Sequence, residues 1–290
     1  MPVLSGSARR RLRSRTGTRS LGAGTSGPRI ARLLRAFPLA LLLTSTFAHG
    51  WGQTGHRVTG ALAEQWLSPA ARAQVDAILG AETLARASTW PDEMRSSPHP
   101  FWQQTANPWH YVTVPPEQRY EDVQAPREGD AYTALRRFEE TLRDREASLE
   151  VRQLALRFAV HIIGDLHQPL HVGNGRDRGG NQVRVRFFGE DSNLHRVWDS
   201  QIIDRQQLSY TEWMRWLSAD IDGEQLRAWS SVDPQVWIDE SATIRETIYP
   251  QGDDLSWEYG FEQLPVIRAR LSQAGVRIAA WLNAVFAEAG

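Results

Sequence analysis

Apolar residues recur at the spacing of one helix face along most of the chain. Between residues 54 and 67, Val58, Leu62 and Trp66 lie four positions apart, which predicts an amphipathic helix. Pro69 suits the first turn of a second helix, predicted over residues 69–79. The same periodicity predicts further helices at about 130–145, 148–168, 209–220, 234–248 and 260–288.

Two segments depart from this helical periodicity. Residues 182–188 alternate between apolar and polar side chains, which predicts a short strand or hairpin that ends at Gly189. Residues 87–128 are rich in proline and tryptophan without a clear period, which predicts a long functional loop region with at most a short helix. We therefore expect a mostly α, single-domain helical fold over residues 51–290, with a short β-hairpin and long loops.

The first 50 residues differ in composition from the rest of the chain. They contain nine arginines and no acidic residue, followed by an apolar run at 37–47 and the small residues Ala48 and Gly50 around His49. This order is typical of a targeting signal, and the run is shorter than the roughly 20 residues that span a bilayer. We expect residues 1–50 to be a signal segment that is removed before Trp51 during export.

Loss of that segment changes the charge of the protein. The formal charge of the whole chain is −1, whereas residues 51–290 carry 24 arginines against 34 acidic residues, a charge of about −10. A polyanionic substrate must then be attracted by local arginines and bound metal cations. The chain has no cysteine, so the exported protein would have no disulfides. Every basic residue is arginine and there is no lysine, which favours a bacterial protein, exported to the periplasm or outside the cell.

Histidines and aspartates recur at metal-site spacing in two segments. His161 and Asp165 lie four residues apart in a predicted helix, with His171 soon after them, and His195 and Asp199 repeat the same spacing. Residues at i and i+4 project from one helix face, so each pair can bind one ion. Nitrogen and oxygen ligands without thiolates suit a hydrolytic zinc site.

Three further segments complete a pattern that resembles a known family. They are Trp51-Gly-Gln-Thr-Gly-His56, Trp90-Pro-Asp92 and Trp109-His110-Tyr111. With the two pairs above, they resemble the three-zinc, single-strand-specific nucleases of fungi, plants and bacteria, which share a helical fold with zinc-dependent phospholipase C. In that family the mature chain begins with a tryptophan whose amino group and carbonyl bind zinc, so the resemblance implies that signal cleavage completes the metal site.

The resemblance implies three zinc ions and a ligand set for each of them. One ion would be bound by Asp92, His110, His161 and Asp165, a second by Trp51, His56 and the bridging Asp165, and a third by His171, His195 and Asp199. Asp92 and Asp165 would be the catalytic carboxylates. His49, His99 and His167 are not assigned as ligands.

The resemblance also implies three substrate contacts. Arg95 stands where the family has a cation that contacts phosphate, Asn181 matches a Gly-Gly-Asn segment, and Tyr111 matches an aromatic residue that stacks on a base. Thr113 departs from the aspartate that the fungal enzymes have at that place, which leaves base preference open.

The function implied is hydrolysis of single-stranded DNA and RNA to 5′-phosphorylated products, with removal of 3′-phosphate from nucleotides. No stable membrane association and no protein partner are expected. Two alternatives stay open at this point: a zinc-dependent phospholipase C, which uses nearly the same ligands, and a zinc-binding protein without catalytic activity. The wide spacing of His171 and His195 and the terminal Asp199, where the lipase has glutamate, favour the nuclease.

Overall fold

The computed structural model describes residues 51–287 and is mostly α-helical. The predicted signal segment, residues 1–50, lies outside the described residues. The α-helices are α1 Gln53–Ala63, α2 Pro69–Leu79, α3 Leu84–Ala87, α4 Trp90–Met94, α5 Ala131–Arg143, α6 Leu149–Leu166, α7 Leu194–Arg196, α8 Ile202–Asp204, α9 Tyr210–Asp220, α10 Gly223–Ala228, α11 Pro234–Arg245 and α12 Trp257–Val285. The predicted fold class is thus confirmed.

Helix boundaries follow capping residues. Ser68 accepts a hydrogen bond from the backbone N–H of Ala71 at 3.1 Å, and Pro69 occupies the first turn of α2. Helix α1 ends at Ala63, a few residues before the end of the apolar pattern. Helix α12 starts at Trp257 rather than 260 and continues through Pro265.

The buried side chains form two clusters. The first surrounds α6, whose residues from Ala155 to Leu166 are buried apart from Arg157, because α2, α5 and α11 cover it on different sides. The second surrounds α1 and includes Trp198 and Trp213. Helix α6 and helix α1, which each carry predicted metal ligands, therefore belong to well-packed parts of the core.

Residues 87–128 contain more helical turns than the single short helix that was predicted. Besides α4, this region contains a π-helical turn, Phe101–Thr105, and 3₁₀ turns at Asn107–His110 and Tyr120–Asp122. These turns are too short to show a helical apolar period, and contacts between aromatic rings hold them in place. The Trp109 ring packs edge-on against Phe158 of α6, with centroids 5.3 Å apart, and Trp102 stacks on the same ring.

Five short strands form two small sheets within the described residues. β1 Val112–Thr113 pairs in parallel with β2 Val172–Gly173. The hairpin of β3 Arg184–Phe187 and β4 Glu190–Asn193 confirms the alternation predicted at residues 182–188, and β5 Asp254–Leu255 adds to β3 in parallel. The first sheet brings the segments after His110 and His171 together.

Candidate metal centre

The eight side chains predicted as ligands are all buried, and they converge from distant parts of the chain. Their ligand atoms form three groups, within each of which the atoms lie no more than 4.8 Å apart: His56, Asp92 and His161; His110, His161 and Asp165; His171, His195 and Asp199. The partition differs slightly from the one that the resemblance implies, because His56 groups with Asp92 and His161.

Asp165 belongs to the second group and also faces His56 of the first group. Its Oδ1 is 3.2 Å from Nε2 of His56, and its Oδ2 is 3.0 Å from Nε2 of His161 and 3.3 Å from Nδ1 of His110. The two oxygens of one carboxylate therefore face different histidines. This is the arrangement that a carboxylate bridging two ions requires.

His56 and His161 are held in parallel by the packing of α1 on α6. Their rings stack with centroids 4.0 Å apart and an interplanar angle of 18°. Gly164 permits this approach, because a Cβ at that position would lie 3.1 Å from Nδ1 of His56. A side chain there would push the imidazole away from Asp165.

The third group is built on an irregular helix. His195 lies in α7 and Asp199 in the π-helical segment Val197–Gln201, and Nε2 of His195 is 3.0 Å from Oδ2 of Asp199. Segments of π-helix often occur at functional sites. The other oxygen of Asp199, Oδ1, accepts a hydrogen bond from the side-chain amide of the buried Gln168.

Three of the candidate ligand histidines each place one ring nitrogen against a backbone carbonyl. Nδ1 of His161 lies 2.7 Å from the carbonyl oxygen of Ser88, and Nδ1 of His171 and of His195 lies 2.6 Å from those of His110 and Gly179. A carbonyl accepts only from N–H, so Nδ1 carries a proton in each ring, and Nε2 is the nitrogen left to bind a metal ion.

The carboxylates also fit a cation. Among the described residues, no hydrogen bond of good geometry reaches either oxygen of Asp92 or of Asp165, although both are fully buried. Burial opposes ionisation of Asp165, but the fields of His161 and His171 outweigh it and hold its pKa well below the usual range. Two buried, ionised carboxylates without hydrogen bonds are costly unless positive charge compensates them.

The pKa values of His110 and His161 indicate where the site stabilises a positive charge. Burial lowers the pKa of His110 to about 4. Burial also opposes the charged form of His161, but Asp165 and Asp92 outweigh it and raise its pKa to about 9. The protein's own side chains thus favour a cation between the two aspartates, where a divalent metal would displace the His161 proton.

Trp51 lies beside the third group. Its side chain is buried, and the backbone N–H of Gly52 donates to the carbonyl oxygen of Asp199 at 2.6 Å. Helix α1 begins at Gln53, so His56 follows within its first turn. The first residues of the predicted mature chain are therefore fixed next to metal-ligand candidates.

A cavity of about 460 Å³ opens beside the third group, and His171 and His195 line it. The three residues predicted to contact substrate, Arg95, Tyr111 and Asn181, also line it. The guanidinium of Arg95 is 3.5 Å from Asp92 and donates to Oδ1 of Asn107 at 3.1 Å. The structure thus brings these predicted contacts together next to the metal-ligand candidates.

Sequence reasoning missed Gln168. Besides contacting Asp199, its side-chain oxygen accepts from the N–H of Leu170 at 2.6 Å, so it joins the end of α6 to the third group. Its place between His167 and His171 was the available signal. His167 itself, which was not assigned as a ligand, contacts the carbonyl of Ile163 and the guanidinium of Arg277.

Arg277 belongs to a buried network that also holds the end of α6. Arg270 donates to the carbonyl of His167 at 3.0 Å, and both arginines contact Glu240 within 2.7 Å. Ser241 donates to the carbonyl of Leu166 at 2.6 Å. The carbonyls that α6 leaves without helical partners are thus bonded by α11 and α12.

Buried histidines and aspartates that could hold metal ions, next to an arginine-lined cavity, are typical of a metal-dependent phosphoesterase. Residues 51–287 match the model of the S1/P1 nuclease family. The chain therefore belongs to this family, which hydrolyses single-stranded nucleic acids, and it is a hydrolase acting on phosphodiester bonds.

Similar proteins come from plants and fungi. Endonuclease 4 of Arabidopsis thaliana is 30% identical over 86% of this chain and 94% of its own length. Nuclease S1 of Aspergillus oryzae is 27% identical over 85% of this chain and 95% of its own length. Nuclease P1 of Penicillium citrinum is 28% identical over 81% of this chain and 97% of its own length.

Proposed function

We propose that residues 51–290 form an exported, three-zinc nuclease that cleaves single-stranded DNA and RNA to 5′-phosphorylated products and removes 3′-phosphate from nucleotides. The observation that carries the proposal is the position of Asp165, whose two oxygens face His56 on one side and His110 and His161 on the other. A carboxylate so placed suits a pair of close metal ions.

Zinc is the ion that best fits the donor atoms. The candidate ligands are imidazole nitrogens and carboxylate oxygens without any thiolate, a mixture that suits catalytic zinc. Asp92, His110, His161 and Asp165 would hold one ion, Trp51, His56 and Asp165 a second, and His171, His195 and Asp199 a third. When bound, the ions would supply Lewis-acid activation of water and stabilise charge on the phosphate oxygens.

The residues beside the candidate metal ligands would position the substrate. Arg95 would hold a non-bridging phosphate oxygen through its planar guanidinium, while Asp92 orients the attacking water. Tyr111, which is 39% exposed at the cavity, offers a face on which an unpaired base can stack. Asn181 offers an amide to the phosphate or sugar. A paired base would first have to leave its partner, which costs a few kcal/mol and favours single strands.

Export is supported by the basic and apolar composition of residues 1–50 and by the start of the family match at Trp51. In residues 51–287, no helix is long and apolar enough to cross a membrane. The arginine-only composition supports a bacterial source, and therefore release into the periplasm or medium. Cleavage before Trp51 would free the amino group that completes the second zinc site.

Product analysis tests the proposed activity. The chain from Trp51 to Gly290, loaded with zinc, is incubated with single-stranded DNA or RNA, with and without a chelator. We expect 5′-mononucleotides and short 5′-phosphorylated oligonucleotides, and no cleavage after chelation. Products with 3′-phosphates would contradict the proposed reaction, and cleavage of phosphatidylcholine instead of DNA would favour the phospholipase.

A second comparison isolates the role of the terminal amine. A protein with one extra residue before Trp51 should lose one zinc ion and most of its activity. The matched control is Trp51→Phe at the free terminus, which keeps the amine and changes only the side chain, and it should retain three ions. Equal zinc content and turnover in the extended and trimmed proteins would refute the role given to the amine.

A further inference from the structure

The cavity beside the third metal group has an unusual charge balance. Residues 51–290 are acidic overall, yet the described residues that line the cavity include three arginines, Arg95, Arg176 and Arg178, and no aspartate or glutamate. Arg95 is buried beside Asp92, whereas Arg176 and Arg178 are exposed. One phosphate next to the metal ions accounts for Arg95 but leaves the other two without a role.

The loop that carries Arg176 and Arg178 is fixed by its own polar side chains. Oδ1 of Asn174 accepts from the N–H of Arg176 at 2.8 Å. The carboxylate of Asp177 accepts from Tyr249 Oη at 2.6 Å, from Gly180 N at 2.9 Å and from Asn174 Nδ2 at 3.2 Å. The one carboxylate of this loop is therefore bonded to the loop itself and to Tyr249, and it bonds neither arginine.

Arg178 has a left-handed backbone conformation, with φ of 57°. For a residue other than glycine this costs on the order of 1 kcal/mol, and such strain occurs preferentially at functional sites. The carbonyl of Arg178 accepts from the side-chain amide of Asn181 at 2.9 Å, and the next carbonyl, that of Gly179, contacts His195. The strained residue is thus tied to both the metal group and a proposed substrate contact.

The two guanidinium groups are available for an anion. In the part of the chain that the structure describes, neither Arg176 nor Arg178 forms a salt bridge, whereas the exposed Arg119 is paired with Glu121 and Asp239. A glycine would adopt the backbone conformation of Arg178 without strain. The chain nevertheless has an arginine at this position, and its guanidinium forms no salt bridge. A single strand bound in the cavity has one phosphate per nucleotide for such groups.

We infer that Arg176 and Arg178 form a second phosphate site, which binds the phosphodiester next to the one being cleaved. This inference rests on the proposed function and adds a preference for oligonucleotides over substrates with a single phosphate. The reacting phosphate stays with Arg95 and the metal ions. The second site contributes binding to the strand and takes no part in the chemical step.

The test compares two substrate lengths. We would measure kcat/KM for the dinucleotide dTpdT, which has one phosphodiester, and for tetrathymidylate, using wild type and the double variant Arg176→Ala, Arg178→Gly. Glycine suits the left-handed backbone, so folding should be preserved. The control, Arg215→Ala with Arg227→Ala, removes two exposed arginines elsewhere.

We expect the double variant to lose about tenfold or more on tetrathymidylate and less than twofold on dTpdT. The slope of log(kcat/KM) against log salt for the longer substrate should become shallower by about 0.7, the value for one phosphate contact on a single strand. Arg178→Lys should keep most of the activity. Equal losses on both substrates, no loss on either, or a changed base preference without a length effect would overturn the inference.

A binding measurement separates this inference from the proposed function. The affinity for a fluorescein-labelled phosphorodithioate decathymidylate, which resists cleavage, measured by anisotropy with the zinc-loaded protein, should fall at least fivefold in the double variant and stay unchanged in the control. If wild type cleaves neither substrate, the proposed function fails while binding still reports on the arginines. Unchanged binding in the double variant would refute the second phosphate site.

Discussion

Replacement of the buried Gln168 by leucine isolates a contact that holds the third metal group. The amide of Gln168 donates to Asp199, and its oxygen accepts from the N–H of Leu170. A hydrogen bond to a charged partner contributes roughly 1.5–3 kcal/mol, and a buried N–H without an acceptor costs about 1–3 kcal/mol. Since the leucine side chain recovers part of this by apolar burial, we expect Gln168→Leu to lower the free energy of unfolding by about 2–4 kcal/mol.

The effect of Gln168→Leu on zinc affinity tests the contact with Asp199 more specifically than its effect on stability does. Removal of a group that orients a metal ligand typically weakens metal affinity about 10–100-fold. The protein is dialysed against buffers of decreasing free zinc concentration, and its zinc content is then measured. One ion should be lost at a higher free zinc concentration than the other two. The control is Gln153→Leu, which removes a hydrogen bond to the carbonyl of Ile78 far from the metal groups. A Gln168→Leu protein that keeps three ions with unchanged affinities would refute the reasoning.

Three further predictions concern different parts of the centre. Gly164→Ala places a methyl group 3.1 Å from His56, and the resulting overpacking of about 1–3 kcal/mol should reduce zinc content by one ion, as measured by metal analysis. Arg95→Ala should lower kcat/KM on single-stranded DNA about 100-fold, and Arg95→Lys less, since lysine keeps the charge without the planar fork. Burial opposes ionisation of Glu240, but hydrogen bonds and charges of Arg277 and Arg270 outweigh it and lower its pKa. The ionised Glu240 therefore stabilises the folded protein above about pH 4.5, and this contribution is lost as the pH falls through the lowered pKa. Glu240→Gln should therefore lower the free energy of unfolding in urea by about 2–3 kcal/mol at pH 7. The loss is moderate because solvent still reaches a third of the Glu240 side chain, and the difference from wild type should narrow below pH 4.

Local chemistry made much of the centre predictable from the sequence. His161 and Asp165 are joined by helical spacing, and α6 holds them as expected because its apolar residues bury it within the core. Caps and prolines gave the start of α2 in the same way. These features depend on residues within one or two turns of each other, where sequence patterns carry the most information.

The remaining features depend on contacts between distant segments. Gln168 reaches Asp199 only because the end of α6 packs against the π-helical segment, and its position between His167 and His171 does not indicate which distant residue it contacts. Arg270 lies 103 residues from His167, whose carbonyl it bonds. The short turns between residues 87 and 128 form because aromatic rings such as Trp109 pack on α6 rather than because of any periodicity of their own.

The central claim is that three zinc ions occupy the three buried groups. The direct measurement is a crystal structure of the protein starting at Trp51, with anomalous diffraction recorded on both sides of the zinc absorption edge. We expect three zinc peaks, two of them bridged by Asp165 and the third between His171, His195 and Asp199. Fewer than three peaks, or peaks that keep their height on the low-energy side of the edge, where zinc scatters with little anomalous signal, would contradict the account.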